Sequence, residues 1–125
     1  MTLSDAISEA NAILPGVPAQ SDGQDARWQA IIAIGDFIES DPEPIWTFVA
    51  RWGANDDDDL RAAIATCLLE HLLEHHFDLI FPRVQDLARR DANFADTFRI
   101  CSKFGETELA ENSSRFDALK KETRR

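Results

Sequence analysis

Two stretches of the chain, DARWQAIIAIGDFIES at residues 25–40 and DLRAAIATCLLEHLLE at residues 59–74, align without a gap at an offset of 34 residues. In both copies the apolar residues recur at helical spacing. A period of this length is typical of stacked helical repeats, in which each helix pair buries its apolar face against its neighbours. The aligned pairs include Arg27 with Arg61, Ile34 with Leu68, and Ile38 with Leu72.

The segments that follow the two copies also align, after a one-residue insertion. Their matched pairs are Ile45 with Ile80, Trp46 with Phe81, Val49 with Val84, and Trp52 with Leu87. A looser third copy, DTFRICSKFG at residues 96–105, places Arg99 three residues after Asp96 instead of two. Glycine and proline separate the helix-length segments, and no segment has the alternation of a strand. We therefore predict an all-α chain of about seven helices.

The Asp-x-Arg openings DAR at residues 25–27 and DLR at residues 59–61, the latter followed by AAIATCLL, resemble the HEAT-repeat family. The resemblance covers roughly residues 25–105. It implies a short right-handed stack of antiparallel helix pairs that binds other macromolecules. It also implies that Asp25, Arg27, Asp59 and Arg61 are structural and tie one repeat to the next. We expect one helical domain over residues 1–125, with a C-terminal helix and basic tail at residues 106–125.

The acidic charge is concentrated in the first half of the chain. Residues 1–60 carry 12 acidic and 2 basic side chains, and residues 61–125 carry 11 of each, so the first part accounts for the whole net charge of -10. Negative charge repels phosphate backbones and attracts basic proteins. We expect a basic protein partner and no direct binding to nucleic acid.

The expected location is the cytoplasm. No apolar run approaches the roughly 18 residues that a membrane span requires. The stretch MTLSDAISEANAIL has Asp5 and Glu9 where a signal peptide would have a basic region followed by an apolar one. Cys67 and Cys101 lie in separate predicted helices, and in a reducing compartment we expect them to be buried small hydrophobic residues.

The segment RWGANDDDD at residues 51–59 places a tryptophan beside an acidic turn. Aspartates before a helix cap its first amide groups and complement its dipole. Tryptophan is enriched at the centres of protein interfaces. Helical phase assigns Trp28 and Trp46 to the core, which leaves Trp52 for the surface. The predicted binding surface is therefore Trp52, Asn55, Asp56, Asp57, Asp58 and Asp59.

A histidine cluster offers a different interpretation. His71, Glu74 and His75 match the H-x-x-E-H pattern of one class of zinc hydrolase, in which two histidines one turn apart bind zinc and the glutamate acts as base. A catalytic zinc ion needs a third protein ligand, and no residue in the sequence is singled out for that role. Ile64, Leu68 and Leu72 continue a core stripe, with His71 and His75 at its edge. This placement favours packing or surface histidines.

No glycine-rich phosphate loop or oriented cysteine nucleophile accompanies these features. The leading hypothesis is a non-enzymatic protein-binding module without a cofactor, in its sharper form an acidic inhibitor or immunity-type partner of a basic protein. One alternative is a zinc-dependent hydrolase that uses His71, Glu74 and His75. Another is a homo-oligomeric structural module.

Overall fold

The computed structural model describes residues 1–16 and 25–123, and these residues form helices and connecting turns without any strand. A π-helical turn, Ala65–Leu69, joins α4 to α5, and a 3-10 turn, Gly105–Glu108, precedes the last helix. The predicted all-α class is thus confirmed. The α-helices are α1 Leu3–Ile13, α2 Ala26–Gly35, α3 Pro42–Trp52, α4 Asp58–Ile64, α5 Glu70–Arg90, α6 Ala92–Ile100 and α7 Ala110–Thr123.

The number of separate helices differs slightly from the prediction. Helix α4, the π-helical turn and α5 run on without a break, so the described residues contain six helical segments instead of about seven. Helix α5 has a kink at His76, which has the non-helical angles φ -140 and ψ 46. Nε2 of His76 lies 2.9 Å from the carbonyl oxygen of Ile38, and the amide of Phe77 donates to Oε1 of Glu106 at 3.0 Å. Polar groups from two other segments therefore hold the kink.

Gly105 allows the 3-10 turn to approach this kink closely. Its φ is +52, a left-handed conformation that L side chains rarely adopt. A Cβ atom at this position would lie 2.6 Å from Cγ of Glu74 and 2.8 Å from its carbonyl oxygen. Glycine is therefore required both for the backbone conformation and for the contact with α5.

Side-chain caps explain where several helices begin. Thr2 and Asp5 form a reciprocal capping box at the start of α1. Asp25, Asp57 and Asp91 each accept a backbone amide hydrogen in the first turn of α2, α4 and α6, respectively. Pro42 begins α3, at a position where a missing amide hydrogen breaks no helical bond.

One apolar cluster connects α1 to α7, from Ala6 and Ala10 to Phe116 and Leu119. Residues at equivalent positions of the two repeat copies, such as Ile34 and Leu68, are both fully buried. Towards the C-terminal end, neighbouring phenylalanine rings form the core, with centroids 4.7 Å apart for Phe77 and Phe81 and 4.9 Å apart for Phe98 and Phe116. None of the helices in residues 1–16 and 25–123 combines the length and the apolar character needed to span a bilayer.

Candidate functional site: the acidic turn between helices α3 and α4

The predicted acidic surface lies on a turn that α6 holds in place. Asn93 donates to the carboxylate of Asp56 at 2.8 Å, and the hydroxyl of Thr97 donates to the carbonyl oxygen of Gly53 at 2.5 Å. Within the turn, the side chain of Asn55 accepts the amide hydrogen of Asp57 at 3.0 Å. These bonds tie the turn to α6 and hold its backbone at Gly53 and Asp57.

Arg27 lies behind the turn and is only 4% exposed. Its guanidinium group donates to Oδ2 of Asp59 at 2.5 Å, to Oδ2 of Asp57 at 3.3 Å, and to the carbonyl oxygen of Pro15 at 2.9 Å. Nε1 of Trp28 also donates to Asp59, at 3.1 Å. Two of the four consecutive aspartates are therefore engaged by the first repeat copy.

Arg61 occupies the equivalent position in the second copy and is 8% exposed. It donates to the carbonyl oxygen of Asn55 at 2.8 Å, pairs with Asp58, and lies 4.0 Å from the carboxylate of Asp96 in the third copy. Each buried arginine therefore reaches an aspartate of the following copy. The Nε atoms of Arg27 and Arg61 make no hydrogen bond with any part of the chain that the structure describes.

These contacts divide the predicted surface into internal and outward parts. The side chain of Asp58 is 90% exposed although it pairs with Arg61, and Asp56 is exposed as well. Asp57 and Asn55 are partly buried. The pKa of Asp57 is lowered because its carboxylate accepts the amide hydrogen of Leu60, and also because Arg27 lies beside it. Asp56 and Asp58 therefore remain the carboxylates best placed to meet a partner.

The assignment of Trp52 to the binding surface is wrong. Its side chain is only 5% exposed, and its Nε1 donates to Oδ1 of Asn11 at 2.8 Å. The guanidinium group of Arg51 covers its ring at 4.4 Å. The spacing of Ile45, Phe48, Val49 and Trp52 is that of a buried helical stripe, and all four are buried. Conversely, Trp28 and Trp46, which were predicted to be core, are partly exposed and pack against the edge of the core.

The structure brings His71, Glu74 and His75 together on α5. Nδ1 of His71 and Nε2 of His75 lie 2.7 and 3.6 Å from the same oxygen, Oε1 of Glu74. Nδ1 of His75 is 3.4 Å from Glu39, and the ring of His71 stacks on Phe104 with centroids 5.6 Å apart. Within residues 1–16 and 25–123, no group of three or more histidine, cysteine, aspartate or glutamate side chains is arranged to hold a metal ion.

Both cysteines are free thiols. Cys67 lines a depression of about 330 Å³ beside His71 and His75, and burial raises the pKa of its thiol. Cys101 is buried, and burial raises the pKa of its thiol strongly. Because the thiolate is the nucleophilic form, a raised pKa disfavours a nucleophilic role for either residue.

A second acidic region lies at the opposite end of α2, where the sequence prediction had placed no site. The junction between α2 and α3 carries Asp36, Glu39 and Asp41, and none of them has a lysine or arginine partner among the described residues. The next acid, Glu43, is paired through both oxygens with Arg83 at 2.5 and 2.9 Å, and this bond lowers the pKa of Glu43. The segment DFIESDPEP, with four acids and no base, was the available sequence signal.

Comparison of the chain with models of protein families, with characterised proteins and with solved structures gives no match.

Proposed function

We propose that the protein is a non-enzymatic binding module that recognises a basic protein through the acidic surface of its N-terminal half. The observation that carries the proposal is the position of the two arginines within residues 1–60. Arg27 is buried behind the α3–α4 turn, and Arg51 covers the ring of Trp52. Neither base offsets the outward carboxylates of Asp36, Asp41 and Asp56, and Asp58 stays 90% exposed although it pairs with Arg61.

The same contacts support a HEAT-like architecture. Arg27 reaches Asp59, and Arg61 lies near Asp96, so similar arginine–aspartate contacts recur from one copy to the next. In such a stack the turns between helices lie at the edges of the molecule, where a partner can contact several of them together. We infer that the α3–α4 turn, with Asn55 and Asp56–Asp59, belongs to the contact surface, without Trp52.

The sharper form of the proposal is an inhibitor or immunity-type role in the cytoplasm. A carboxylate surface presented from turns can attract a basic protein at long range and cover its nucleic-acid-binding or catalytic surface. The binding protein itself needs no catalytic group. Complementary charge governs the association rate more than the final affinity, so the interaction is expected to depend strongly on salt.

The test begins with capture of partners from a native lysate by the full chain, at low salt and at about 1 M salt, where the screening length falls to about 3 Å. The affinity of the basic partner is then measured by calorimetry for the wild type and for the double variant Asp56→Lys/Asp58→Lys. The matched control is Glu108→Lys/Glu111→Lys, which changes the charge equally at two exposed positions of the charge-balanced second half.

We expect at least about a tenfold loss of affinity for the first double variant, equivalent to about 1.4 kcal/mol, and little change for the control. Equal losses of affinity in the two double variants would show that binding depends on net charge alone and that the α3–α4 turn has no specific role. Absence of any partner whose binding weakens with salt would contradict the proposed function itself.

A further inference from the structure

A groove of about 550 Å³ lies between the N-terminal turns of α1 and α3. Its apolar lining is formed by Leu3 and Ile7 on α1 and by Pro44 on α3, and Asp41 lies at its edge. Threonine and serine side chains complete the lining. An apolar centre with a polar rim is the common composition of a protein-binding surface.

The geometry of α1 explains why the groove is open. Ala6 and Ala10 are the side chains of this helix that are fully buried in the core. Leu3 and Ile7 lie one helical turn apart on a neighbouring strip and are only partly buried. Their remaining apolar surface faces the groove, so a ligand side chain placed there would cover surface that the fold leaves in contact with water.

The surroundings of the groove are acidic. Residues 1–16 and 36–45 contain six acidic side chains and no lysine or arginine. Asp41 lines the groove and has no lysine or arginine partner in the described part of the chain, whereas Arg83 neutralises Glu43. A segment that enters the groove with an apolar side chain therefore places its neighbouring side chains beside the unneutralised carboxylate of Asp41.

We propose that this groove docks a basic amphipathic segment of the protein partner. One aliphatic side chain of that segment fills the space between Leu3, Ile7 and Pro44, and a neighbouring lysine or arginine side chain pairs with Asp41. An apolar anchor flanked by complementary charge is a common mode of peptide recognition. The inference rests on the proposed function, because it supplies the anchor point for the same basic partner.

The experiment uses the full chain labelled with 15N and a synthetic helical peptide of about 18 residues, with leucines on one face and lysines on the other. A second peptide with serine in place of each leucine keeps the charge and removes the anchors. Backbone amide shifts locate each peptide on the protein, and titration gives its affinity. The variant Ile7→Gln is compared with Ile13→Gln, which changes a 40% exposed isoleucine on the same helix outside the groove. Circular dichroism checks that both variants remain folded.

We expect the leucine–lysine peptide to shift the amides of residues 2–8, of Asp41 and of Glu43, and to bind at least about tenfold tighter than the serine–lysine peptide. Ile7→Gln removes this advantage, and Ile13→Gln keeps it. Equal affinity for the two peptides, or amide shifts confined to residues 55–59, would contradict docking in the groove. Either result would leave the proposed acidic binding surface unaffected. Failure of both peptides to bind at low salt would overturn the proposed function as well. If Ile7→Gln instead dissociates a dimer of the free protein in sedimentation, the occupant is a second copy of the chain, and the inference is wrong.

Discussion

Arg27 joins the first turn of α2 to the first turn of α4, because its guanidinium group donates to Oδ2 of Asp59 at 2.5 Å. The arginine is buried, whereas the side chain of Asp59 is 45% exposed. The bond therefore fixes the first repeat copy to the second while leaving one side of the aspartate in contact with water. Such a contact ties the shape of the acidic surface to the packing of the helices beneath it.

Replacement of Arg27 is expected to destabilise the fold. Arg27→Met keeps the apolar stem but removes the cation that pairs with Asp57 and Asp59. The two carboxylates keep their bonds to the Leu60 amide and the Trp28 ring. We expect a loss of about 2–3 kcal/mol, somewhat below the 3–5 kcal/mol typical of a fully buried pair, because Asp59 is partly hydrated. Urea unfolding followed by circular dichroism measures the change.

The control for this variant is Arg90→Met. Arg90 pairs with Asp86 on the same helix, and both side chains are about two-thirds exposed, at 65% and 68%. Such a pair contributes less than about 1 kcal/mol. Similar losses for the two variants would contradict a special role for Arg27 in joining the repeat copies.

Trp52 is expected to contribute to stability and not to contact a partner directly. Trp52→Ala removes a buried ring and should cost about 3–5 kcal/mol in the free energy of unfolding. Trp52→Phe keeps most of the apolar volume and loses the hydrogen bond to Asn11, at a cost of about 1–2 kcal/mol. Thermal unfolding of both variants tests this order. If a Trp52 variant had unchanged stability but bound the partner more weakly, Trp52 would belong to the binding surface and the prediction would be wrong.

Asp57 should contribute to the pH dependence of stability. Its pKa is lowered in the folded state, so its contribution is fully present above the unfolded-state value of about 3.9 and is lost as the pH falls through the folded-state value. Asp57→Asn retains a capping side chain but cannot be charged. We therefore expect the difference in unfolding free energy between wild type and variant to shrink from pH 7 to pH 2.

Urea unfolding at several pH values provides this measurement. Asp57→Ser also introduces a neutral residue that caps helices well. Its unfolding free energy should therefore depend on pH in the same way as that of Asp57→Asn, and less than that of the wild type. If the difference between wild type and the Asn variant were constant over the whole range, the charge of Asp57 would make no contribution to folding.

Gly105 should not tolerate a side chain. Gly105→Ala forces a Cβ atom against the carbonyl oxygen of Glu74 at a positive φ, and we expect a loss of about 1–3 kcal/mol. Gly35→Ala is the matched control, since its Cβ would meet no atom closer than 3.5 Å and its φ is not positive. That variant should gain about 0.4–1 kcal/mol, because alanine restricts the unfolded chain. Opposite signs in thermal unfolding support this account of Gly105, and equal signs contradict it.

Several features of the site could be predicted from sequence because they depend on local spacing. The aspartates that cap α2 and α4 are adjacent to the amides they accept from, and residues 34 apart, such as Ile34 and Leu68, share the same apolar environment. The position of Trp52 was also readable from its stripe of apolar neighbours. Its assignment to the surface failed because it was made by elimination, after helical phase had placed Trp28 and Trp46 in the core.

The sequence by itself determined the all-α class, the apolar faces of the helices and the excess of acid in the first half, since periodicity and charge are properties of neighbouring residues. Only the tertiary structure decided which acids remain free. At the α3–α4 turn, Arg27 and Arg61 pair with Asp57, Asp58 and Asp59 but not with Asp56, whereas the carboxylates at the α2–α3 junction meet no lysine or arginine among the described residues. The continuity of α4 with α5 and the groove beside Ile7 were likewise decided there. The bonds of Arg27 to Asp57 and Asp59, and the approach of Ile7 to Pro44 across the groove, bring together residues about 30 to 40 positions apart, and such contacts leave no local pattern in the chain.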